Sequence, residues 1–177
     1  MIIVGDNLRD LISQHNIIDN PSTGFDDTSI SLTLDSCIIR VVPDNENDII
    51  TYGSNIPRKW IQEETIDLNE GVILDPKHSV LACSSEIVRI PMGYFGLLQT
   101  KGSLARLFVS LHCSDSQIEP GYSGKITFEI CNFSNIKVRI LPRQKVGDLF
   151  LLKASTKHVM PYNGKYQNAD KPTIQLP

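Results

Sequence analysis

In "GDNLRDLISQHNII", Leu8, Leu11 and Ile12 recur at helical spacing behind Asp6, which predicts a short amphipathic helix capped by that aspartate. From Thr28 onward the pattern changes to brief β-rich runs separated by turn residues: "SISLTL", "CIIRVV", "GVILDP", "SVLACSSEIVRI", "YFGLLQT", "KITFEIC", "KVRILP" and "VGDLFLLKA". Many short strands with little helical periodicity between them predict a mainly β fold, an antiparallel sandwich or barrel-like roll. "VPDNEND" and "YGSNIPRKW" are the expected long loops. No repeat period or linker divides the chain, so residues 1–177 are expected to form one domain. Within it, 160–177 is expected to be a mobile C-terminal tail, because Pro161, Gly164 and Pro172 interrupt any regular element.

Composition narrows the function classes. A chain of 177 residues with 41% hydrophobic content can bury a core without staples. A formal charge of -3 argues against a general nucleic-acid binder, which needs a clustered cationic surface, so any phosphate site should be local. The 4 cysteines form no C-x-x-C pair, and no charged leader with an apolar run opens the chain. Reduced thiols and a cytoplasmic location are therefore expected. No apolar stretch approaches the ~20 residues needed to span a bilayer, so no membrane association is expected.

Candidate chemistry concentrates between Lys101 and Asn132. Alternation in "KITFEICN" puts Ile126, Phe128 and Ile130 on one face of a strand and Lys125, Thr127, Glu129 and Cys131 on the other. Glu129 there is either an ordinary solvated residue or a carboxylate on a rigid strand, well suited to general base work. "TKGSLAR" joins Gly102, which permits close backbone approach, to Ser103, which can cap a helical turn, between the cations Lys101 and Arg106. Such a turn attracts anions, although similar turns are common on protein surfaces. "IEPGY" is first of all a tight turn built by Pro120 and Gly121, with Glu119 exposed. The H-x-E and P-C-x-x-C signatures of zinc nucleobase deaminases do not occur, and His15, His78, His112 and His158 lack a second ligand at zinc spacing. His112 and Cys113 are adjacent, and on a strand would point to opposite faces rather than form a dyad.

Taken in order, "KGSLARL", "IEPGYSGKITFEICN", "PRQKVGDLFLL" and "PYNGKYQ" resemble the dCTP deaminases of the trimeric dUTPase superfamily. That family's pattern runs G-R-S-S-L-A-R, I-D-P-G-W-S-G and I-T-L-E-x-x-N, then a tail with P-Y and K-Y. The match covers Lys101 to Gln167 well, and "DDTSISLTL" and the opening helix more faintly. The resemblance implies a distorted β-roll, a jelly-roll-like barrel of the dUTPase-like fold with a short N-terminal helix. It implies a homotrimer whose active sites lie between subunits. It implies zinc-free deamination of dCTP to dUTP and ammonia, with Glu129 shuttling protons. Substrate contacts would come from Lys101, Gly102, Ser103 and Arg106 on the triphosphate, with Tyr162 and Lys165 closing from the tail. Glu119 would face the sugar or water, and Thr127 and Phe128 would flank Glu129. Mg²⁺ would arrive with the triphosphate.

Several positions depart from the family pattern. Lys101 stands for an arginine, Gly102 for a serine and Glu119 for an aspartate, Asp115 falls near a usually small residue, and Ala169 stands for a tail glutamine. Two alternatives to the plain deaminase stay open. One is a bifunctional dCTP deaminase and dUTPase, or a pyrophosphatase giving dUMP. The other is a non-catalytic trimer that binds a nucleotide or partner.

Overall fold

The computed structural model describes residues 1–19 and 26–174. Helix α1 (Gly5–His15) buries Leu8, Leu11 and Ile12, as the spacing predicts. Its start differs from the expectation: Val4 holds the cap position without a side-chain bond, and Asp6 lies inside the first turn. The reason is tertiary. The Gly5 N–H donates to the Asp27 carbonyl at 2.6 Å, while Arg9 donates to Asp6 at 2.6 Å, a carboxylate position that the helix dipole favours. Asn16 closes the helix in the left-handed region.

The strands follow in chain order: β1 (Ile30–Thr33), β2 (Cys37–Val41), β3 (Ile61–Thr65), β4 (Val72–Leu74), β5 (Ser79–Arg89) and β6 (Tyr94–Thr100). After a one-turn helix, α2 (Gly102–Ala105), come β7 (Val109–Ser110), β8 (Gln117–Ile118), β9 (Ser123–Asn132), β10 (Val138–Ile140) and β11 (Lys145–Lys153). Pairing gives a four-stranded sheet in the order β1-β11-β6-β8, a five-stranded sheet in the order β3-β2-β5-β9-β7, and the pair β10-β4. The sheets stay open, so the body is a distorted roll rather than a closed barrel. Their inward positions share one core in which Phe128, Ile130, Leu32, Leu98 and Leu149 are fully buried or nearly so. Among the described residues no helix is long and apolar enough to cross a membrane.

β3 escapes the hydrophobic pattern for a physical reason. It is the edge strand of its sheet, with burial confined to part of Ile61, so its sequence "IQEET" carries no apolar alternation. β7 and β8 are too short to show any period. By contrast β9 alternates along its whole length, even residues buried and odd ones half-buried. It pairs with β5 in two stretches separated by a bulge. The Ser84 hydroxyl inside that bulge accepts the Ile126 N–H at 2.9 Å, so the strand bends without stranding a donor.

Candidate active site

Glu129 lies at the middle of β9 on its half-buried face, and its carboxylate opens into a cavity of about 280 Å³. Strand alternation puts it there, since Phe128 and Ile130 on either side anchor the opposite face in the core. Burying Phe128 contributes about 1.5–3 kcal/mol, so the rotation of β9 is firmly set. The Cys113 N–H donates to Glu129 Oε2 at 2.9 Å, which fixes the carboxylate's direction.

Three walls enclose the cavity. The first is the segment from Asp115 to Glu119, which includes β8. The second is Tyr122, Ile126 and Thr127 from the turn after β8 and from β9 itself. The third is the C-terminal segment, through Tyr162, Tyr166 and Thr173. Tyr122 and Tyr162 meet edge to face with ring centroids 5.7 Å apart. Tyr122 also donates its hydroxyl to the Lys125 carbonyl at 2.6 Å, and burial holds its phenol well above the usual range. Carboxylates and aromatic side chains lining one cavity can hold a flat heterocycle and move protons at its edge.

The C-terminal segment reaches the cavity by fastening itself to β9. Gln167 donates to the Gly121 carbonyl at 2.9 Å and accepts the Ser123 N–H at 3.0 Å. The Lys125 N–H donates to the Ala169 carbonyl at 2.7 Å, and the Asn168 N–H to the Ser123 carbonyl at 2.7 Å. Farther on, the Thr173 N–H donates to the Thr127 hydroxyl at 3.1 Å. This approach needs glycine at Gly124, where φ is +149° and a Cβ would lie 2.7 Å from the Ala169 nitrogen.

The sequence-expected site residues fall into separate groups. Glu119, Thr127, Glu129 and Tyr162 line one cavity. Gly102 and Ser103 on α2, with Lys101 and Arg106 at its two ends, are not among its walls. Lys101 Nζ is 2.9 Å from Asp148, an ion pair whose side chains are mostly sheltered. Ser103 does not cap the turn: Lys101 holds that position without a side-chain bond, and its carbonyl accepts the Leu104 and Ala105 N–H groups, both at 2.9 Å. Gly102, Ser103 and Arg106 are exposed. The Phe128 side chain belongs to the core, with no exposed surface for a ligand. Lys165 sits over the Tyr166 ring at 5.0 Å and lines a second hollow, with Arg58, Glu63 and Lys171, on the far side of Tyr166. His112 and Cys113 lie in the loop beyond β7 rather than in a strand, and Cys113 turns toward Cys131.

Sequence reasoning missed the Cys113 backbone donor, Tyr122, Tyr166 and Thr173. The aromatic residues did carry a signal, one following the Pro-Gly turn and the other following Lys165. A backbone N–H carries none.

Over residues 2–154 the chain matches a protein-family model described as dCTP deaminase-like. A Mycobacterium tuberculosis protein named "dCTP deaminase, dUMP-forming" is 31% identical over 183 residues, covering 98% of this chain and 94% of its own length. A Rhodococcus erythropolis protein of the same name is 37% identical over 109 residues, which is 59% of this chain and 58% of that protein. Among solved structures, the 2'-deoxycytidine 5'-triphosphate deaminase from Agrobacterium tumefaciens shares the fold, with a TM-score of 0.61 at 17% identity. That match covers 85% of this chain and 47% of the Agrobacterium chain, so this chain spans under half of its length.

Proposed function

Because this chain belongs to the dCTP deaminase-like family, we propose that it hydrolyses the 4-amino group of dCTP, with Glu129 as the proton carrier. The observation that carries this reading is the Glu129 carboxylate, oriented by the Cys113 N–H and opening into an aromatic-walled cavity. Glu129 takes a proton from water as the oxygen bonds to C4 of the ring. It passes that proton to the ring nitrogen, then takes the second proton from the new hydroxyl on C4 and gives it to the amino group, so that the C4–N bond breaks, ammonia leaves and the C4 carbonyl forms. A base so placed typically contributes ~10²-fold to 10⁴-fold. No resident zinc enters this reading, and Mg²⁺ comes with the triphosphate as part of the substrate.

The split between the Glu129 cavity and the α2 cations supports an assembly in which one copy's α2 holds the phosphates above another copy's Glu129. We assign that assembly as a homotrimer acting in the cytoplasm. A second reading, in which the uracil nucleotide is also cut to dUMP and diphosphate, is favoured by the names of the relatives and by a further carboxylate, Glu119, in the same cavity. Glu119 would then help activate water for attack on phosphorus.

Incubating the protein with each deoxynucleoside triphosphate and Mg²⁺, then separating products by base and by phosphate state, tests both. Ammonia and dUMP from dCTP are expected. Accumulating dUTP would remove the second step, and unchanged dCTP would remove the first.

A further inference from the structure

Beside the Glu129 cavity lie two thiols that deamination does not use. Cys113 Sγ is 3.2 Å from Cys131 Sγ, and both cysteines are free. The β7-β9 ladder brings them together: Ser110 pairs with Cys131, so the loop leaving β7 folds back over that residue. Cys131 is two residues from Glu129 and shares its face of β9. Cys113 also touches Glu129, through the N–H bond to Oε2 at 2.9 Å and through its sulfur, 3.9 Å from the Glu129 carbonyl oxygen. One residue therefore supplies both a thiol and the hydrogen bond that aims the carboxylate.

We propose that Cys113 and Cys131 form a reversible disulfide that switches the Glu129 cavity, an inference that rests on Glu129 being the working carboxylate. A disulfide bond is about 2.05 Å long, so the sulfurs need to approach by only roughly 1 Å. Cys113 is exposed and Cys131 half-buried, so an oxidant meets Cys113 first. Burial and the neighbouring Cys113 thiol push the Cys131 thiol up to about 12, so its thiolate is scarce at neutral pH and Cys113 is the sulfur that attacks the oxidant.

The oxidant in this scheme is a low-molecular-weight disulfide. The Cys113 thiolate attacks one of its sulfurs, giving a mixed disulfide and one released thiol. Cys131 then loses its proton and attacks Cys113 Sγ, releasing the second small thiol. Two protein thiols become one cystine, two electrons pass to the small disulfide, and the two protons end on the released thiols. Closure draws the Cys113 backbone toward β9 and re-aims the N–H on Glu129. Displacing a positioned catalytic group by ~1 Å can cost ~10²-fold.

The test equilibrates the full chain in mixtures of oxidised and reduced glutathione. Free thiols, unreduced tryptic peptides and dCTP turnover are then measured on the same samples. Cleavage after Lys125 separates the two cysteines, so their cross-link is visible as joined peptides. We expect that cross-link, two fewer thiols per chain, and turnover lowered at least ~10-fold and restored by dithiothreitol. Cys131→Ser should keep its reduced-state turnover and lose its sensitivity. Cys113 carrying glutathione without a cross-link would overturn the proposal, as would a cross-link with unchanged turnover or a Cys131→Ser protein that responds like wild type. A protein that cross-links but never turns over dCTP defeats the deaminase reading alone. Exchange of the Cys113 amide hydrogen, compared between the oxidised and reduced chains, then decides the switch, with unchanged protection overturning it.

Discussion

The middle of β9 and the α2 turn were expected to serve one site, yet the fold treats them differently. Glu129 is oriented and walled in by its own chain. Gly102, Ser103 and Arg106 face solvent, and Lys101 is engaged by Asp148. The half that would do bond chemistry is preorganised, where misdirection costs most. The half that would hold charge is presented outward, where long cations can follow a flexible triphosphate.

The largest effect that could break this contrast is on Glu129. Glu129→Gln should lower deamination by ~10²-fold to 10⁴-fold while dCTP still binds, checked by turnover and by calorimetric titration. Near-wild-type turnover would leave the two regions with no division of labour. Next comes Arg106→Ala, which should weaken dCTP binding by roughly 1.5–3 kcal/mol, with little effect on deoxycytidine binding. Mixing Glu129→Gln with Arg106→Ala after partial unfolding and refolding should restore some turnover, because some sites would then combine an intact α2 with an intact Glu129. No restoration at any ratio would confine each site to one chain.

A smaller effect is expected where the C-terminal segment meets β9. Gly124→Ala forces a side chain into an unusual backbone region and against Ala169, at a cost of about 1–3 kcal/mol. It should lower the melting temperature and speed tryptic cleavage after Lys165. The smallest concerns Asp35, whose carboxylate lies 2.6 Å from Lys125 Nζ. Burial opposes its charge, but Lys125 and the Cys37 and Ser36 N–H groups hold its carboxyl below the usual range. With a depressed folded value, the contribution is present above about pH 4 and lost as pH falls through the folded value. Asp35→Asn should therefore flatten the acid limb of the melting curve, measured from pH 6 downward.

These regions also differ in how plainly the sequence announces them. Alternation in "KITFEICN" specified which face of β9 carries Glu129, because a strand anchored by Phe128 and Ile130 has only one way to turn. The order of the short motifs disclosed the family. The path of the C-terminal segment was not legible, since it is held by single bonds such as those of Gln167 and Thr173, which have no period. Nor was the meeting of Cys113 with Cys131, 18 residues apart, because it depends on a two-residue strand. β3 stayed hidden because an edge strand needs no apolar stripe.

On the side away from β5, β9 is covered by β7 only at Cys131 and Asn132, and the Ser123–Lys125 stretch by the C-terminal segment. That segment is thus also a guard against edge-to-edge strand pairing. A bare strand edge recruits another chain's backbone, and here the guard is also a wall of the cavity. Under the proposed function, each opening wide enough to pass a nucleotide over β9 would expose that strand edge for as long as it lasts. Selection for rapid exchange of substrate and selection for solubility therefore pull on the same few hydrogen bonds.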